Sequence, residues 1–340
     1  MGNKLKVLEL FAGVGTQAMA LKRLAKDNDD FDFEVVGISE IDKFALKSYN
    51  AIHGDTTNFG DITLINPKDL PDVDLITYSF PCTDISTAGK QMGFAKNSNT
   101  RSSLLWECEK IIKSKKPKYL LMENVKNLIS KKFKPDFENW IEVLNDLGYT
   151  SYYACLNSKN FGVPQNRERV FMVSILGEHD EFKFPKGIEL NKQIKDILEP
   201  QVEDSYYLSK KLSDRFELTL STTPKTSKDI VVLGNTSPSG YGEHSVISPQ
   251  GISKTLLAGG SKIQIVDLPF TNKDDLYTLS EGFKLRRLTP LEYWRLMGIS
   301  DEDYYKAKNS GVSNSQLYKQ AGNAIVVDVL YYIFKELFKK

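Results

Sequence analysis

The sequence of 340 residues is poor in the side chains from which disulfide frameworks and zinc sites are built. It has three cysteines and three histidines, namely Cys82, Cys108, Cys155, His53, His179 and His244. The cysteines are far apart and none lies in a CxxC pair, so we predict neither a disulfide framework nor a metal site. Such sparse cysteine use is typical of a reducing compartment and favours a cytoplasmic protein.

The sequence also lacks long apolar runs and an excess of charge of either sign. No stretch approaches the roughly 20 apolar residues that a membrane helix needs, so no membrane association is expected. The 45 basic and 44 acidic residues nearly cancel. A nucleic-acid enzyme needs a basic face and not a basic total, so this balance excludes no such function.

Short apolar runs alternate with amphipathic stretches through the first half of the sequence. The predicted strands are LKVLELF, FEVVGISE, DLITYSF and YLLMEN, with a predicted helix between each strand and the next. This alternation is typical of an α/β fold with a parallel sheet. YYACLNS and RVFMVSIL follow with only a short loop between them, and we predict that they are antiparallel.

Beyond about Pro200 the composition changes, and residues 221–260 are rich in Ser, Thr, Gly and Pro. This texture predicts a separate small domain that is mostly β or irregular. We therefore predict a first domain at residues 1–195, a small domain at 200–283 and a hinge at 284–310. The remaining residues, 311–340, are expected to form a C-terminal helix that returns to the first domain.

Glycines follow the first predicted strand directly, in Phe11-Ala12-Gly13-Val14-Gly15. Glycines at such a turn let the backbone approach a nucleotide-like ligand closely, although a strand-to-helix turn can also need them for itself. The acid that ends the second strand, Glu40, suits ribose hydroxyls, and Asp61 in Gly60-Asp61-Ile62 suits an adenine amine. The pattern fits G-x-G-x-x-A, so at this point an NAD-type enzyme remains an alternative.

Cys82 stands in Ser79-Phe80-Pro81-Cys82, directly after the strand DLITYSF. The carboxyl end of a parallel sheet is where ligands of such folds bind, and Pro81 restricts the backbone beside the thiol. A polar Gly/Ser/Lys-rich loop follows and suits a lid. The competing interpretation is a structural cysteine, which is the usual state of this residue.

Two further motifs carry polar side chains to strand ends. Glu123-Asn124-Val125 ends YLLMEN, where the carboxyl suits proton transfer to a ring nitrogen or the capping of the next helix. Gln165-Asn166-Arg167-Glu168-Arg169 precedes RVFMVSIL. Its arginines can form structural ion pairs or hold a base edge or phosphate bidentately. Gly322-Asn323-Ala324 opens the final helical stretch and is a candidate wall of the cofactor pocket.

In this order, the motifs resemble those of the DNA (cytosine-5)-methyltransferases of the bacterial and phage restriction–modification type, with a single target-recognition domain. The ordered set is F-A-G-x-G, the second-strand acid, G-D-I, P-C, E-N-V, Q-x-R-x-R, R-R-L-T-P-x-E and G-N-A, and it covers nearly the whole chain. The resemblance implies a Rossmann-like S-adenosylmethionine-dependent methyltransferase fold, with the small domain as the target-recognition domain.

The resemblance also implies how cytosine is methylated. Cys82 would attack carbon 6 of a flipped-out cytosine, and Glu123 would hold and protonate N3. Arg169, and less directly Arg167, would stabilise the cytosine edge. Asn124 and Pro81 would support the loop that carries the thiol.

The cofactor implied by the resemblance is S-adenosylmethionine, with S-adenosylhomocysteine as product and without a metal. The residues expected to hold it are Phe11, Gly13, Gly15, Glu40, Ile41, Asp61, Ile62 and Asn323. Ile41 departs from the family pattern, which often has an aromatic residue there to pack on adenine.

For DNA recognition we single out Tyr241, Thr255 and Leu256, with Tyr241 entering the duplex near the vacated cytosine position. The alternative is a tyrosine that packs on its own loop. Candidates for phosphate contacts are Arg286, Arg287, Lys131, Lys132 and the lysines of KIIKSKKPK, and the alternative is that most of these side chains are simply solvated. The expected partner is double-stranded DNA with a short recognition site, bound by a monomer in a bacterial or phage-encoded system that can include a cognate restriction endonuclease.

Three alternatives remain beside this interpretation. Methylation of cytosine in RNA is disfavoured by the recognition domain and by the lack of a second catalytic cysteine. A binding module without activity is disfavoured because Cys82, Glu123 and Arg169 are all intact. An NAD dehydrogenase is disfavoured because no histidine stands in a hydride-transfer context.

Overall fold

A computed structural model of the chain describes residues 4–86, 92–96, 98, 100–218, 228–237, 244–259, 262–267 and 283–339. The chain divides into two compact units. The first unit comprises Met1–Leu156, Glu168–Lys186 and Val329–Lys340, and the second comprises Asn157–Arg167 and Gly187–Asp328. These units are defined by packing, whereas the domain boundaries at 195, 200, 283 and 310 were inferred from composition and motifs, so those boundaries stay a prediction.

The first unit is built on a six-stranded sheet. Its strands are β1 (Leu5–Leu10), β2 (Phe33–Ser39), β3 (Leu75–Tyr78), β4 (Tyr119–Val125), β5 (Tyr149–Asn157) and β6 (Glu168–Leu176). They lie in the order β2-β1-β3-β4-β6-β5. Strand β1 is parallel to both β2 and β3, β3 is parallel to β4, and β4 is antiparallel to β6. The predicted α/β fold with a largely parallel sheet is confirmed.

Strands β5 and β6 run in opposite directions, as their short connection predicts. The hydroxyls of Ser151 and Ser174 lie 2.8 Å apart, whereas Asn157 Nδ2 donates to Asn166 Oδ1 at 2.6 Å. From residue 151 to residue 157 of β5, the number of the facing residue falls from 174 to 166, so the two strands are antiparallel.

Helices follow the strands of this sheet. They are α1 (Thr16–Asp27), α2 (Lys43–His53), α3 (Leu105–Lys115) and α4 (Lys134–Asp146). The Asp42 carboxylate starts α2 by accepting hydrogen bonds from the backbone N–H groups of Phe44 and Ala45. Strand β3 is buried along its whole length and β4 is buried except at its two ends, because a parallel sheet of this kind is covered on both faces.

The end of the chain belongs to the first unit. Helix α9 (Val327–Leu337) begins at the boundary between the units. The Arg23 guanidinium lies 4.2 Å from the centre of the Tyr331 ring. Phe338 stacks on Phe31 at 5.1 Å and meets the Tyr119 ring edge-on at 5.3 Å. These contacts hold the end of the chain on the first unit, and the buried Leu330, Ile333 and Phe334 form the apolar side of α9.

The second unit carries a smaller five-stranded sheet. Its strands are β7 (Glu217–Leu218), β8 (Val232–Asn235), β9 (Ser245–Ile247), β10 (Gln264–Asp267) and β11 (Lys284–Arg287), in the order β11-β10-β9-β8-β7. All its pairs are antiparallel except β9 with β10. Helices α5 (Lys210–Ser213), α6 (Pro290–Arg295), α7 (Asp301–Asn309) and α8 (Asn314–Asn323) also lie in this unit.

The motif R-R-L-T-P-x-E builds the junction between β11 and α6. Thr289 caps α6 in a capping box, in which its hydroxyl accepts from Glu292 N and the Glu292 carboxylate accepts from Thr289 N. The same carboxylate holds the Arg286 guanidinium with two contacts of 2.8 Å. Arg286 is fully buried, so the suggestion that it contacts phosphate is wrong, because its charge is already paired inside the unit.

Candidate active site

The glycine loop of the first unit adopts left-handed backbone conformations. The φ angles of Phe11, Gly13 and Gly15 are 58°, 59° and 77°. A Cβ at Gly15 would lie 2.4 Å from His53 Nε2, whereas a Cβ at Gly13 would meet no atom within 4 Å. Gly15 therefore permits close packing of the loop on α2, and Gly13 leaves open space above the backbone where a ligand fits.

A buried network holds this loop from below, and the sequence analysis missed it. The fully buried Glu9 carboxylate accepts from Ala18 N at 2.9 Å and from the Tyr49 hydroxyl at 2.7 Å. His53 Nε2 lies 3.0 Å from Val14 O. Burial raises the pKa of Glu9 to about 7, although the hydrogen bonds from Tyr49 and Ala18 act to lower it. The available signal was an acid inside the apolar strand directly before F-A-G.

Glu40 closes the other side of the loop. Its Oε2 accepts from Gly13 N at 2.8 Å, and its Oε1 accepts from Asp42 N at 2.6 Å. Asn58, which sequence reasoning also missed, accepts from the N–H groups of Glu40 and Gly60, both at 3.0 Å. Asn58 thus ties the second-strand acid to the G-D-I turn.

The side chains around this turn present both polar and apolar groups. Asp61 is exposed and its carboxylate accepts from Thr63 N at 2.9 Å, while Ile62 beside it is buried. Ile41 is 67% exposed, which is high for a large apolar side chain. The open backbone at Gly13, the carboxylates and the exposed Ile41 together suit a nucleoside-bearing ligand. Asn323, the last residue of α8, is exposed in the second unit.

Adjacent parallel strands carry Cys82 and Glu123 to the carboxyl end of the sheet. Tyr78 at the end of β3 pairs with Met122 in β4, so the residues after Tyr78 emerge beside Glu123. The buried Asn124 side chain donates to Phe80 O at 3.0 Å. The E-N motif is therefore joined directly to the P-C motif, and the half-buried Cys82 follows two residues after that hydrogen bond.

Glu123 and Arg169 form an ion pair that is largely shielded from water. Arg169 Nε lies 3.2 Å from Glu123 Oε1, with 16% and 10% of the respective side chains exposed. Antiparallel pairing of Val125 with Arg169 brings the two residues together. A carboxyl group and a guanidinium held side by side can form charge-assisted hydrogen bonds with the polar edge of a base.

Arg167 has a different environment from Arg169, although the two are only two residues apart. It is 3% exposed and lies in the second unit. Its guanidinium donates to the backbone oxygens of Leu256 at 3.0 Å, Gly322 at 3.0 Å and Ala324 at 2.9 Å. These contacts support a structural role, and the predicted contribution of Arg167 to the cytosine edge stays a prediction.

The candidate recognition residues that the structure describes are held by the same motif. Gln165 accepts from Leu256 N at 3.0 Å, and the Thr255 hydroxyl donates to Asn166 O at 2.7 Å. Leu256 is 1% exposed, whereas its neighbour Leu257 is 49% exposed. Tyr241 and its neighbours Gly240 and Gly242 lie outside the described residues.

The described ranges contain no group of three or more His, Cys, Asp or Glu side chains that could hold a metal ion. Across the same ranges, no helix combines the length and apolarity needed to cross a bilayer. All three cysteines lie within the described part of the chain, and none is disulfide-bonded.

The parallel sheet, the left-handed glycine loop and the two carboxylates beside it define the class of nucleoside-binding α/β enzymes. Within that class, the chain belongs to the C-5 cytosine-specific DNA methylase family, which residues 5–339 match. It is a DNA (cytosine-5-)-methyltransferase, as the order of motifs predicts.

Three curated relatives span nearly the whole chain. The type II methyltransferase M2.ScrFI of Lactococcus lactis subsp. cremoris is 39% identical over 388 residues, covering 98% of this chain and 99% of that protein. The type II methyltransferase M.HhaI of Haemophilus parahaemolyticus is 36% identical, with 97% and 93% covered. The orphan methyltransferase M.SPBetaI of Bacillus phage SPbeta is 32% identical, with 98% of each covered.

Solved structures share the fold at lower sequence identity. The S. pombe Dnmt2 methyltransferase superposes with a TM-score of 0.71 at 21% identity, covering 99% of both chains. A DNMT2 mutant of Spodoptera frugiperda has a TM-score of 0.70 at 20% identity, covering 99% of this chain and 100% of that one. The predicted methyltransferase fold is confirmed.

Proposed function

We propose that this enzyme methylates carbon 5 of a cytosine rotated out of double-stranded DNA, through a transient bond between Cys82 and carbon 6. The observation that carries the proposal is the hydrogen bond from Asn124 to Phe80 O, which ties the strand end bearing Glu123 to the turn bearing Cys82. The base must leave the helix because carbon 6 is shielded inside the stack.

The reaction follows from the chemistry of these side chains. The Cys82 thiolate forms a bond from Sγ to carbon 6 while Glu123 gives a proton to N3. Carbon 5 becomes nucleophilic and takes the methyl group. The proton on carbon 5 then leaves to a base, the Sγ–C6 bond breaks, and the proton on N3 returns to Glu123. Arg169 orients Glu123 and the edge of the base, while Pro81 and Asn124 hold the turn.

S-adenosylmethionine supplies the methyl group and leaves as S-adenosylhomocysteine. Phe11, Gly13, Gly15, Glu40, Ile41, Asp61, Ile62 and Asn323 are the residues proposed to hold it. The carboxylates of Glu40 and Asp61 accept hydrogen bonds from hydroxyl and amine donors, and exposed Ile41 offers apolar contact. An aliphatic side chain stacks less well than an aromatic one, so we expect looser cofactor binding than with an aromatic residue at this position.

We propose that the second unit reads a short DNA sequence. Thr255 and Tyr241 remain the residues proposed to contact DNA, and Leu256 remains part of the proposed recognition segment. Because Leu256 is buried and hydrogen-bonded through its backbone, its proposed role is to support the segment, which leaves the exposed Leu257 to face the DNA. We further propose that the enzyme acts as a monomer. The relatives include both type II and orphan methyltransferases. By analogy with the type II relatives, we propose that a cognate restriction endonuclease accompanies this enzyme in the cytoplasm.

The first test is transfer of tritiated methyl from S-adenosylmethionine to unmethylated duplex DNA, with Cys82→Ser in parallel and bisulfite sequencing of the product. We expect label at one cytosine of a fixed short site, reduced by at least 10³-fold in the variant, as for loss of a nucleophile. Label on RNA instead of DNA would move the substrate to RNA. Undiminished transfer by Cys82→Ser would rule out the covalent mechanism.

A further inference from the structure

Two side chains outside all the motifs close the turn that carries Cys82. Ser102 is fully buried and Asp84 is 7% exposed, although both are polar. The Ser102 hydroxyl donates to Pro81 O at 2.6 Å and accepts from Asp84 N at 3.2 Å. Ser102 N donates to Asp84 Oδ2 at 3.2 Å. Three hydrogen bonds therefore join residue 102 to the residues on both sides of Cys82.

Backbone hydrogen bonds hold the rest of the turn. The backbone oxygen of Cys82 accepts from the N–H groups of Ile85 at 3.0 Å and Ser86 at 2.8 Å. The backbone oxygen of Asp84 accepts from Gly93 N at 2.9 Å. Ser102 itself lies in a short 3-10 turn, Arg101–Leu104, which leads into α3. The base of the Cys82 turn is thus anchored to the start of a helix in the core of the first unit.

We propose that Asp84 and Ser102 form a clamp that positions the Cys82 thiol for attack on carbon 6. This inference rests on the proposed function of Cys82. A buried serine whose hydroxyl both donates and accepts fixes the backbone on either side of the nucleophile, and a misplacement of about 1 Å can cost roughly 100-fold in rate. Both side chains are buried against the base of the turn, so they act through Cys82 as positioning residues.

The clamp predicts a loss of turnover without a loss of cofactor binding. In the full-length enzyme on unmethylated duplex DNA, we expect Ser102→Ala to lower kcat by about 10- to 100-fold with the KM for S-adenosylmethionine unchanged within about twofold. Ser102→Thr keeps the hydroxyl and should restore most of kcat. Ser103→Ala is the matched control, because the neighbouring hydroxyl donates to Thr100 O at 2.7 Å and does not contact the Cys82 turn.

A double-mutant cycle tests whether the two residues act as one unit. Asp84→Ala removes only one hydrogen bond of the clamp, that from Ser102 N, whereas Ser102→Ala removes the bonds to Pro81 O and from Asp84 N, so Asp84→Ala should lower kcat less. The double variant should fall little below Ser102→Ala, because a turn already released by the loss of the hydroxyl has little positioning left to lose. Equal kcat for Ser102→Ala and Ser103→Ala would overturn the clamp, as would fully additive effects or a rise in KM that matches the fall in kcat. If Cys82→Ser still methylates DNA, the proposed function itself fails. If Cys82→Ser is inactive while Ser102→Ala is fully active, the clamp alone fails.

Discussion

At the residue scale, residues of the same type have different roles because their surroundings differ. Gly13 and Gly15 both have positive φ, yet only Gly15 lies against other side chains. Arg169 pairs with Glu123, whereas Arg167 binds backbone oxygens. The Glu9 carboxylate is buried inside strand β1, and it supports the glycine loop by accepting two hydrogen bonds.

Glu9 makes stability depend on pH. Its folded-state pKa of about 7 lies above the ordinary value of 4.5, so the folded protein binds this proton more tightly than the unfolded chain does. The resulting stabilisation is complete below about pH 4.5 and is lost as the pH rises through about 7.

We therefore expect Glu9→Gln, which mimics the protonated carboxyl, to match the wild-type free energy of unfolding at pH 4. At pH 8 the variant should be the more stable by about 3 kcal/mol, since each unit of pKa shift corresponds to about 1.4 kcal/mol. Urea unfolding at the two pH values measures this difference. Glu34→Gln, at an exposed position of the neighbouring strand, is the control and should show none. Parallel pH curves for wild type and Glu9→Gln would contradict the assignment.

At the element scale, the Q-N-R-E-R segment works as a junction. The side chains of Gln165 and Arg167 hold the backbone of the 255–256 segment, and Arg167 also reaches the last turn of α8 and the residue after it. A Cβ on Gly322 would lie 2.3 Å from Ala258 N, so these backbones pack in direct contact. The junction thus orders the segment that presents Leu257.

Arg167→Ala leaves three buried backbone oxygens without their donor. We expect it to lower the free energy of unfolding of the second unit by about 2–4 kcal/mol, because each orphaned buried acceptor costs about 1–3 kcal/mol before relaxation. Thermal unfolding followed by limited proteolysis between residues 244 and 259 would report the loss.

Arg215→Ala, at an exposed site of the same unit, should be silent in the same assays. Arg169→Ala should instead abolish methyl transfer with little loss of stability in this unit. A stable but inactive Arg167→Ala would argue that this arginine acts on the substrate and not on the fold.

At the scale of the whole molecule, the residues proposed to act on cofactor and DNA are divided between the units. The glycine loop, Cys82, Glu123 and Arg169 belong to the first unit, whereas Thr255, Leu256 and Asn323 belong to the second. The first-unit residues proposed to hold the cofactor lie apart from Cys82 in the sequence and follow other strands, so we expect them to bind ligand independently of the thiol.

Cys82→Ser should therefore retain cofactor affinity. At a concentration of S-adenosylmethionine 100-fold above Kd, the bound state gains about 2.7 kcal/mol, and the melting temperature should rise equally in wild type and Cys82→Ser. Glu40→Ala removes the carboxylate that holds Gly13 N and should lose most of this rise. An unchanged rise in Glu40→Ala would remove Glu40 from the cofactor site.

The sequence by itself determined the fold class, the order of strands and helices in the first unit, and the motifs on which the proposed chemistry rests. These features depend on residues that are close together in the sequence. Short apolar runs form strands, and the glycines, Pro81 and the strand-end acids take their positions from the strands they directly follow or end. The capping box of Thr289 and Glu292 also has a local spacing, but it was recognised only in the structure.

Only the tertiary structure decided which of two nearby arginines meets Glu123, and that Arg286 is buried. It also decided that Glu9, Tyr49 and His53 support the glycine loop. Finally, it decided that Ser102 closes the turn of Cys82. Each of these outcomes depends on contacts between residues that the chain holds apart until it folds, as Arg167 and Gly322 are separated by 155 positions. Side-chain pairing over such separations is set by the packing of whole elements, which no local pattern records.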